Sequence, residues 1–405
     1  KETCFICGTF FKEMALAPSI LNEYNADEAT IASAGKGEKK KYWSDSDTGY
    51  LEDDTSRIAL VVAGGVKVAA AGGNSREAEG KKLLVEDGDT PMPDANGGPI
   101  LGGFDINRLM TGIVMAAKGR SNDAGEFEVE DICFAGVAHQ DPFPTPTEEK
   151  YLLFASGLQH GGGGASLAMA SELLLDYLCN PGRGDAPRES IAGIVLAGNS
   201  VVRPEEIAFS QHKKGGILEH SANEKVQELD SQALQELDRY LSLMAATLPV
   251  ILLPGEKDPA SFSLPQQPLN RYLFPNASPL TSLHRVSNPA KFTVDGVTVL
   301  GSAGQNVENL RWVSDCGGTS ACDLLANILE WRHLAPTAPS TLASYPYADD
   351  DPLVMLSAPH IFFAGNQDRF ESRVMNSNGS KILLLSIPKF KDTNEVVLVS
   401  LKTLK

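Results

Sequence analysis

Positive charge is scarce in this chain. Across 405 residues, 35 Lys and Arg face 52 Asp and Glu, a formal net charge of −17. A protein that grips duplex nucleic acid with its bulk surface carries a basic excess or a basic face. That class is disfavoured, and an acidic protein that binds other proteins fits better. Net charge does not report distribution, so a local basic patch stays open. Long apolar runs are also missing; none approaches the ~20 residues of a membrane-spanning helix. Cysteines are few and scattered: Cys4, Cys7, Cys133, Cys179, Cys316 and Cys322. Cys4-x-x-Cys7 is half of a zinc or redox motif, but no second pair has matching spacing. Cys4, Ile6 and Gly8 alternate with Phe5 and Cys7, which suits a packed strand in a reduced, intracellular protein. No signal peptide is visible, although Lys1 is no natural start and a targeting segment could lie upstream.

What the chain does have is alternation. Residues 151–156 (YLLFAS), 191–197 (IAGIVLA), 249–253 (PVILL) and 360–364 (HIFFA) are short apolar runs that read as buried strands. Glycines 161–164 break the chain before a helix predicted over 165–179. A second helix, over 223–247, carries Val226, Leu229, Ala233, Leu237, Leu241 and Met244 at helical spacing. Strands alternating with helices predict a largely parallel, doubly covered sheet. Such folds hold their functional groups in loops just past the strand C-termini. The glycine run is not a P-loop, because Gly164-Ala165-Ser166 has no lysine; a permissive turn is the reading.

Those loops are poor in metal ligands. A two-metal phosphoesterase needs Asp and His clusters there, since hard cations bridging a phosphate want carboxylate and imidazole ligands a few Å apart. The usual order is D-x-H, G-D-x-x-D, G-N-H-D/E, a lone His, then G-H-x-H. In the first loop Gly157 and Gln159 stand where Asp and His belong. In the second, Asn199 replaces the bridging Asp and the second Asp is absent. In the third, Lys257 replaces the His and Asp258 remains. Residues 301–307 (GSAGQNV) hold no His, and the last loop has Asn366 and Asp368 in place of both histidines. Glu256, Asp258 and Asp368 leave some carboxylate density, but Lys257 sets a positive charge beside any cation, so no metal site is expected. His160, next to the first lost ligand, reads as a loop histidine bonded to backbone.

An ordered set of further motifs accompanies these loops. Gly8-Thr9-Phe10-Phe11-Lys12 and Leu16-Ala17-Pro18-Ser19-Ile20-Leu21 open it. Val129-Glu130-Asp131, Leu196-Ala197-Gly198-Asn199, Pro254-Gly255-Glu256 and Leu264-Pro265-Gln266-Gln267-Pro268-Leu269 follow. Gly304-Gln305-Asn306-Val307, Arg332-His333, Pro336-Thr337-Ala338-Pro339 and Tyr345-Pro346 complete it. Over almost its whole length the chain resembles the B-subunits of replicative DNA polymerases, most closely those of the delta enzyme. The resemblance implies an OB-fold β-barrel at 1–140, a boundary at 141–149, and an inactivated calcineurin-like phosphoesterase domain at 150–405 built of two packed mixed sheets flanked by helices. It implies a non-catalytic nuclear scaffold without cofactor. Such a scaffold would bind the C-terminal metal-binding domain of the polymerase delta catalytic subunit and bridge it to a third accessory subunit in replication and repair, touching DNA only indirectly. Two other functions stay open: an active metal-dependent phosphoesterase with unusual ligands, and a single-strand-binding barrel.

The N-terminal part itself reads as strands at 3–11 and 57–62 and a hairpin of 111–118 with 126–134 around 121–125. Short strands with long connections suit a small barrel. Residues 63–103, rich in Gly, Ala, Asp and Lys, read as a largely disordered insertion. The basic cluster 36–41 (KGEKKK) reads as a solvated loop rather than an import signal. Phe5, Phe10, Phe11, Tyr42, Trp43, Phe127 and Phe134 could stack bases, but they lie among Asp45, Asp47, Glu52, Asp53 and Asp54. A core or protein-contact role is therefore the better reading. The Pro-rich stretch 335–347 is a docking surface or a rigid packed loop; the sequence does not decide.

Overall fold

A computed structural model describes residues 2–17, 41–62, 105–144, 146–162, 164–179, 190–202, 220–315, 319–377 and 379–405, with backbone alone at 220–230. The expected insertion at 63–103, most of the 36–41 cluster, Cys316 and the Pro18–Leu21 part of the Leu16–Leu21 motif lie outside these residues.

Five strands close the N-terminal barrel: β1 (Cys4–Glu13), β2 (Thr48–Glu52), β3 (Arg57–Val62), β4 (Val114–Ser121) and β5 (Phe127–Phe134), in the order β1-β2-β3-β5-β4. Strands β3 and β5 run parallel, and the remaining pairs are antiparallel. Alternate residues point inward, and Phe10, Leu51, Leu60, Met115 and Phe127 fill the lumen. The first hairpin strand starts at Val114, later than its apolar pattern implies. Gly112 turns the chain there with φ +93, and a Cβ at this position would lie 1.9 Å from the Pro336 carbonyl oxygen. Cys4 and Cys7 lie on β1 as expected, but both thiols are exposed rather than packed. On the face opposite Cys7, Ile6 packs partly buried against the core, and Phe10 is the first fully buried residue of β1.

The second unit departs from the single parallel sheet that the periodicity predicts. It has two five-stranded mixed sheets, as the family resemblance implies. One runs β15-β6-β7-β8-β9, from β6 (Tyr151–Ala155), β7 (Ile191–Ala197), β8 (Val250–Leu253), β9 (Leu283–Arg285) and β15 (Val397–Ser400). The other runs β10-β11-β12-β14-β13, from β10 (Ala290–Val294), β11 (Val297–Ser302), β12 (Ile361–Gln367), β13 (Glu371–Ser377) and β14 (Ser380–Pro388). A strand buried on both faces reads as a continuous apolar run whether its cover is a helix or another sheet, so periodicity could not separate the two cases.

Residue parity shows the layering. Leu152, Phe154, Val195, Ala197, Ile361 and Phe363 point into the space between the sheets, where Phe154 and Phe363 meet at 5.2 Å. Their neighbours Leu153, Ala155, Ile194 and Leu196 face helices α1 (Ala165–Cys179) and α2 (His220–Thr247) on the outside of the first sheet. On the outside of the second sheet, Phe362, Ala364 and Leu384 face α3 (Gln305–Val313) and α4 (Ala321–Trp331). Ser320 and Asp323 start α4 with a reciprocal capping box.

The barrel joins this last layer. Its Phe10, Leu60 and Phe127 belong to the same buried cluster as Val307, Leu310, Leu325 and Ile328. Phe134 packs edge-on against Trp331 at 6.3 Å, and Tyr42 against Trp312 at 6.0 Å. The seam also buries a charge pair. Lys12 Nζ lies 3.6 Å from Asp47 Oδ2 with both side chains fully covered, and donates to the Val313 carbonyl at 3.1 Å. The Pro-rich segment after residue 140 is held down. The buried His360 accepts from Thr298 N at 2.9 Å and donates through Nε2 to the Asp141 carbonyl at 3.0 Å, and Phe143 packs edge-on to its ring at 5.3 Å.

Candidate functional site

The loops that follow β6, β7, β8, β11 and β12 converge at one end of the double sheet. Parallel pairing of β6, β7 and β8 brings their C-termini together, and the facing sheet adds β11 and β12. The first two loops turn on residues in the left-handed region, Gln159 (φ 48) and Asn199 (φ 55), and so does the irregular end of β12 at Asn366 (φ 56). The short side chain of Asn tolerates that conformation better than most. The loops lie close. A Cβ on Gly198 (φ +80) would come within 2.8 Å of Gly255 Cα and 2.5 Å of Ala303 Cβ.

The residues that the resemblance sets at the ligand positions are held by hydrogen bonds, most of them to backbone. Gly157 N donates to the Gly198 carbonyl at 2.9 Å and Gln159 N to the Asn199 carbonyl at 3.0 Å, zipping the first loop to the second. Asn199 Oδ1 accepts from Lys257 N at 2.9 Å, tying the second to the third. Asn366 Nδ2 donates to the carbonyls of Ala197 at 3.1 Å and Ala303 at 2.9 Å, clamping both sheets. Its backbone N–H donates to Ser156 Oγ at 2.8 Å, and that hydroxyl lies 2.9 Å from the Pro388 carbonyl it donates to. Gln159 Oε1 accepts from Lys391 Nζ at 2.9 Å, and exposed Asp368 pairs with Lys389 at 3.1 Å. Among the described residues, no group of three or more His, Cys, Asp or Glu side chains converges as a metal would require.

Asp258, the one carboxylate kept in the third loop, is buried and fully engaged. Oδ1 accepts from Ser200 N at 2.7 Å and Val201 N at 3.0 Å, and Oδ2 accepts from Gly255 N at 2.8 Å. Burial pushes its pKa up from 3.8 to about 6, against the pull of those backbone N–H groups. A carboxyl whose folded pKa is raised stabilises the fold fully below its unfolded value, and that contribution is lost as pH rises through about 6. The shift from 3.8 to about 6 corresponds to about 3 kcal/mol. Urea unfolding of the wild type should therefore lose stability more steeply than Asp258→Asn between about pH 4 and pH 7. Parallel pH profiles would contradict this assignment.

Sequence motifs not tied to any chemistry find their role beside these loops. Buried Asn288 donates from Nδ2 to Gln266 Oε1 and to Gln305 Oε1, each at 2.8 Å. Its Oδ1 accepts from Ala303 N at 2.9 Å, while Gln266 Nε2 donates to the Gly255 and Ser261 carbonyls at 3.2 and 2.8 Å. The LPQQPL and GQNV motifs are thus two ends of one amide network bracing the third loop. Asn288 escaped notice because Asn-Pro reads as an ordinary turn.

A cavity of about 460 Å³ lies to one side, between residues 158–161 and helices α1 and α2. His160 lines it, with its ring 5.0 Å from Tyr240 and its pKa pushed down to about 4 by burial. It is therefore neutral near pH 7. In the barrel, Phe10 and Phe127 are core residues. The Arg57 guanidinium lies 4.2 Å from the centroids of both Phe11 and Tyr50, so these rings already stack on a cation.

The closed five-stranded barrel and the two-sheet unit are each matched by a family model of B-type DNA polymerase subunits. The family model for the B subunit of DNA polymerases alpha and epsilon matches residues 152–372, and that for the OB-fold domain of the DNA polymerase delta subunit matches residues 1–132. The chain belongs to the family of DNA polymerase delta small subunits. It is 34% identical to the DNA polymerase delta small subunit of Oryza sativa subsp. japonica over 409 aligned positions, covering 100% of this chain and 82% of that protein. Identity to the Arabidopsis thaliana small subunit is likewise 34%, covering 100% of this chain and 81% of the relative. Identity to DNA polymerase delta subunit 2 of Drosophila melanogaster is 32%, covering 99% and 81%.

Proposed function

We propose that this chain is a non-catalytic scaffold subunit of DNA polymerase delta, acting in the nucleus in DNA replication and repair. It binds the C-terminal metal-binding domain of the catalytic subunit and bridges it to a third accessory subunit. One observation carries the reading. The strand-end loops that would hold two cations are instead joined by their own amides, and the buried carboxylate among them, Asp258, accepts from three backbone N–H donors. A phosphate-bridging site needs open coordination positions and carboxylate or imidazole ligands, and Gly157, Gln159, Asn199, Lys257 and Asn366 offer neither. The shared barrel-and-sheet core supports the scaffold half of the proposal, because a rigid body holds two partners at fixed spacing.

The test is metal content together with Mn²⁺-dependent hydrolysis of a generic phosphodiester by the purified chain, alongside co-purification with the catalytic subunit's C-terminal domain. The expected outcome is no stoichiometric metal, no turnover and stable co-purification. Turnover that disappears in Asp258→Asn, with the variant still folded, would make the chain an enzyme and overturn the proposal.

A further inference from the structure

The stretch 335–347 divides into a packed part and an exposed one. Its first part is buried: Ala335 and Thr337 are covered, and the Pro336 carbonyl abuts Gly112 of the barrel. From residue 345 the chain rises into a crest exposed through residue 352. Backbone bonds anchor both of its feet. Tyr345 N donates to the Leu264 carbonyl, and Leu334 N to the Leu353 carbonyl, each at 2.8 Å. Pro346 and Pro352 stiffen it further.

The crest presents large apolar groups that nothing in the chain requires to be outside. Tyr345 is 63% exposed, Tyr347 48%, Val354 42% and Leu356 88%, and the two tyrosine rings stack edge-on at 5.4 Å. Exposed apolar residues gathered on one short segment mark an interaction site, and tyrosine is enriched among residues that carry binding energy. Charge selects the occupant. Three carboxylates follow the tyrosines. Asp351 is committed, pairing with His333 at 2.9 Å and accepting from Leu353 N at 2.8 Å. The Asp349 and Asp350 carboxylates have no ion pair among the described residues. Two free carboxylates beside apolar rings repel phosphate backbones and attract ammonium or guanidinium groups.

We propose that the 345–356 crest is a preformed docking face for a lysine- or arginine-rich segment of another polymerase subunit. Its aliphatic stems would lie on Tyr345 and Tyr347 and its cations against Asp349 and Asp350. The proposal rests on the scaffold reading above and names the surface through which that role operates. Anchoring at both feet lowers the ordering cost on binding.

The experiment uses the reconstituted complex of this chain with the catalytic and accessory subunits of the same polymerase. Zero-length carbodiimide coupling should join Asp349 or Asp350 to a partner lysine, read by peptide mass spectrometry. The pairs Tyr345→Ala with Tyr347→Ala, and Asp349→Asn with Asp350→Asn, should each weaken one partner's binding at least tenfold while the unfolding midpoint stays at the wild-type value. The Asn pair should also flatten the salt dependence of that binding. Wild-type and variant chains that assemble equally well, with no cross-link at the crest, would overturn the docking face and leave the scaffold reading standing. A wild-type chain that assembles with no polymerase subunit would overturn both. Loss of binding in the variants to a nucleic acid rather than a protein would replace the proposed occupant.

Discussion

Replacing Lys12 with alanine is expected to cost about 3–5 kcal/mol, the range for breaking one partner out of a buried ion pair. The Lys12 and Asp47 side chains are both fully covered at the seam between barrel and double sheet. Asp47 also accepts from Ser44 N at 3.0 Å and from Ala15 N at 3.3 Å, so it cannot turn away to find water. Lys12→Met preserves the packed stem and removes the charge; it should recover little, because the stranded carboxylate is the larger penalty. Combining Lys12→Met with Asp47→Asn should restore part of the loss, giving a coupling energy of about 1–3 kcal/mol in a double-mutant cycle. Denaturant unfolding measures the loss, and hydrogen exchange at Asp315 N and Tyr42 N, which donate across the seam at 2.8 Å, locates it. If Lys12→Ala unfolds at the wild-type midpoint, the pair contributes nothing to holding the seam.

Asp258→Ala is expected to be comparably damaging for a different reason. It would strand Ser200 N, Val201 N and Gly255 N in a buried loop cluster. An orphaned buried donor costs about 1–3 kcal/mol, and with partial hydration of the new gap the sum comes to about 3–5 kcal/mol. Against a total of about 5–15 kcal/mol for a typical domain, that is enough to lower soluble yield. Asp258→Asn keeps one acceptor oxygen and should lose less, about 1–3 kcal/mol. Calorimetric or urea midpoints check the ranking. A catalytic or metal-binding Asp258 predicts the reverse pattern, in which activity falls and stability holds.

Much of this architecture was legible in the chain because long apolar runs are strong signals. Helix α1 and strands β3 and β7 fall where their patterns place them. Two of the elements not read from the sequence have a plain physical reason. Strand β13 (ESRVMNS) is a largely exposed edge whose residues alternate too weakly to read, and β9 has three residues. Helix α3 begins at Gln305 inside the GSAGQNV stretch, and its 9 residues give a short amphipathic pattern. The five loops could be found because each follows a strand and carries glycine. Their wiring could not. Asn199 meets Lys257 across 58 positions of chain and Ser156 meets Asn366 across 210, and no local pattern encodes such a partner. The Lys12–Asp47 pair was equally hidden, since a lysine in a strand reads as a solvent-facing residue.

The continuity of the core from Phe10 of the barrel to Ile328 of α4 has a consequence for how this subunit can be inherited and rebuilt. Its two halves are not interchangeable cassettes. A chimaera that takes residues up to 144 from one species and the remainder from another must match two surfaces in contact, with Phe134 fitted to Trp331 and Gly112 to the Pro336 carbonyl. A change in size on one side of that junction leaves a gap or a clash unless the other side answers it. Transplanting the barrel alone would be a graft onto a foreign core.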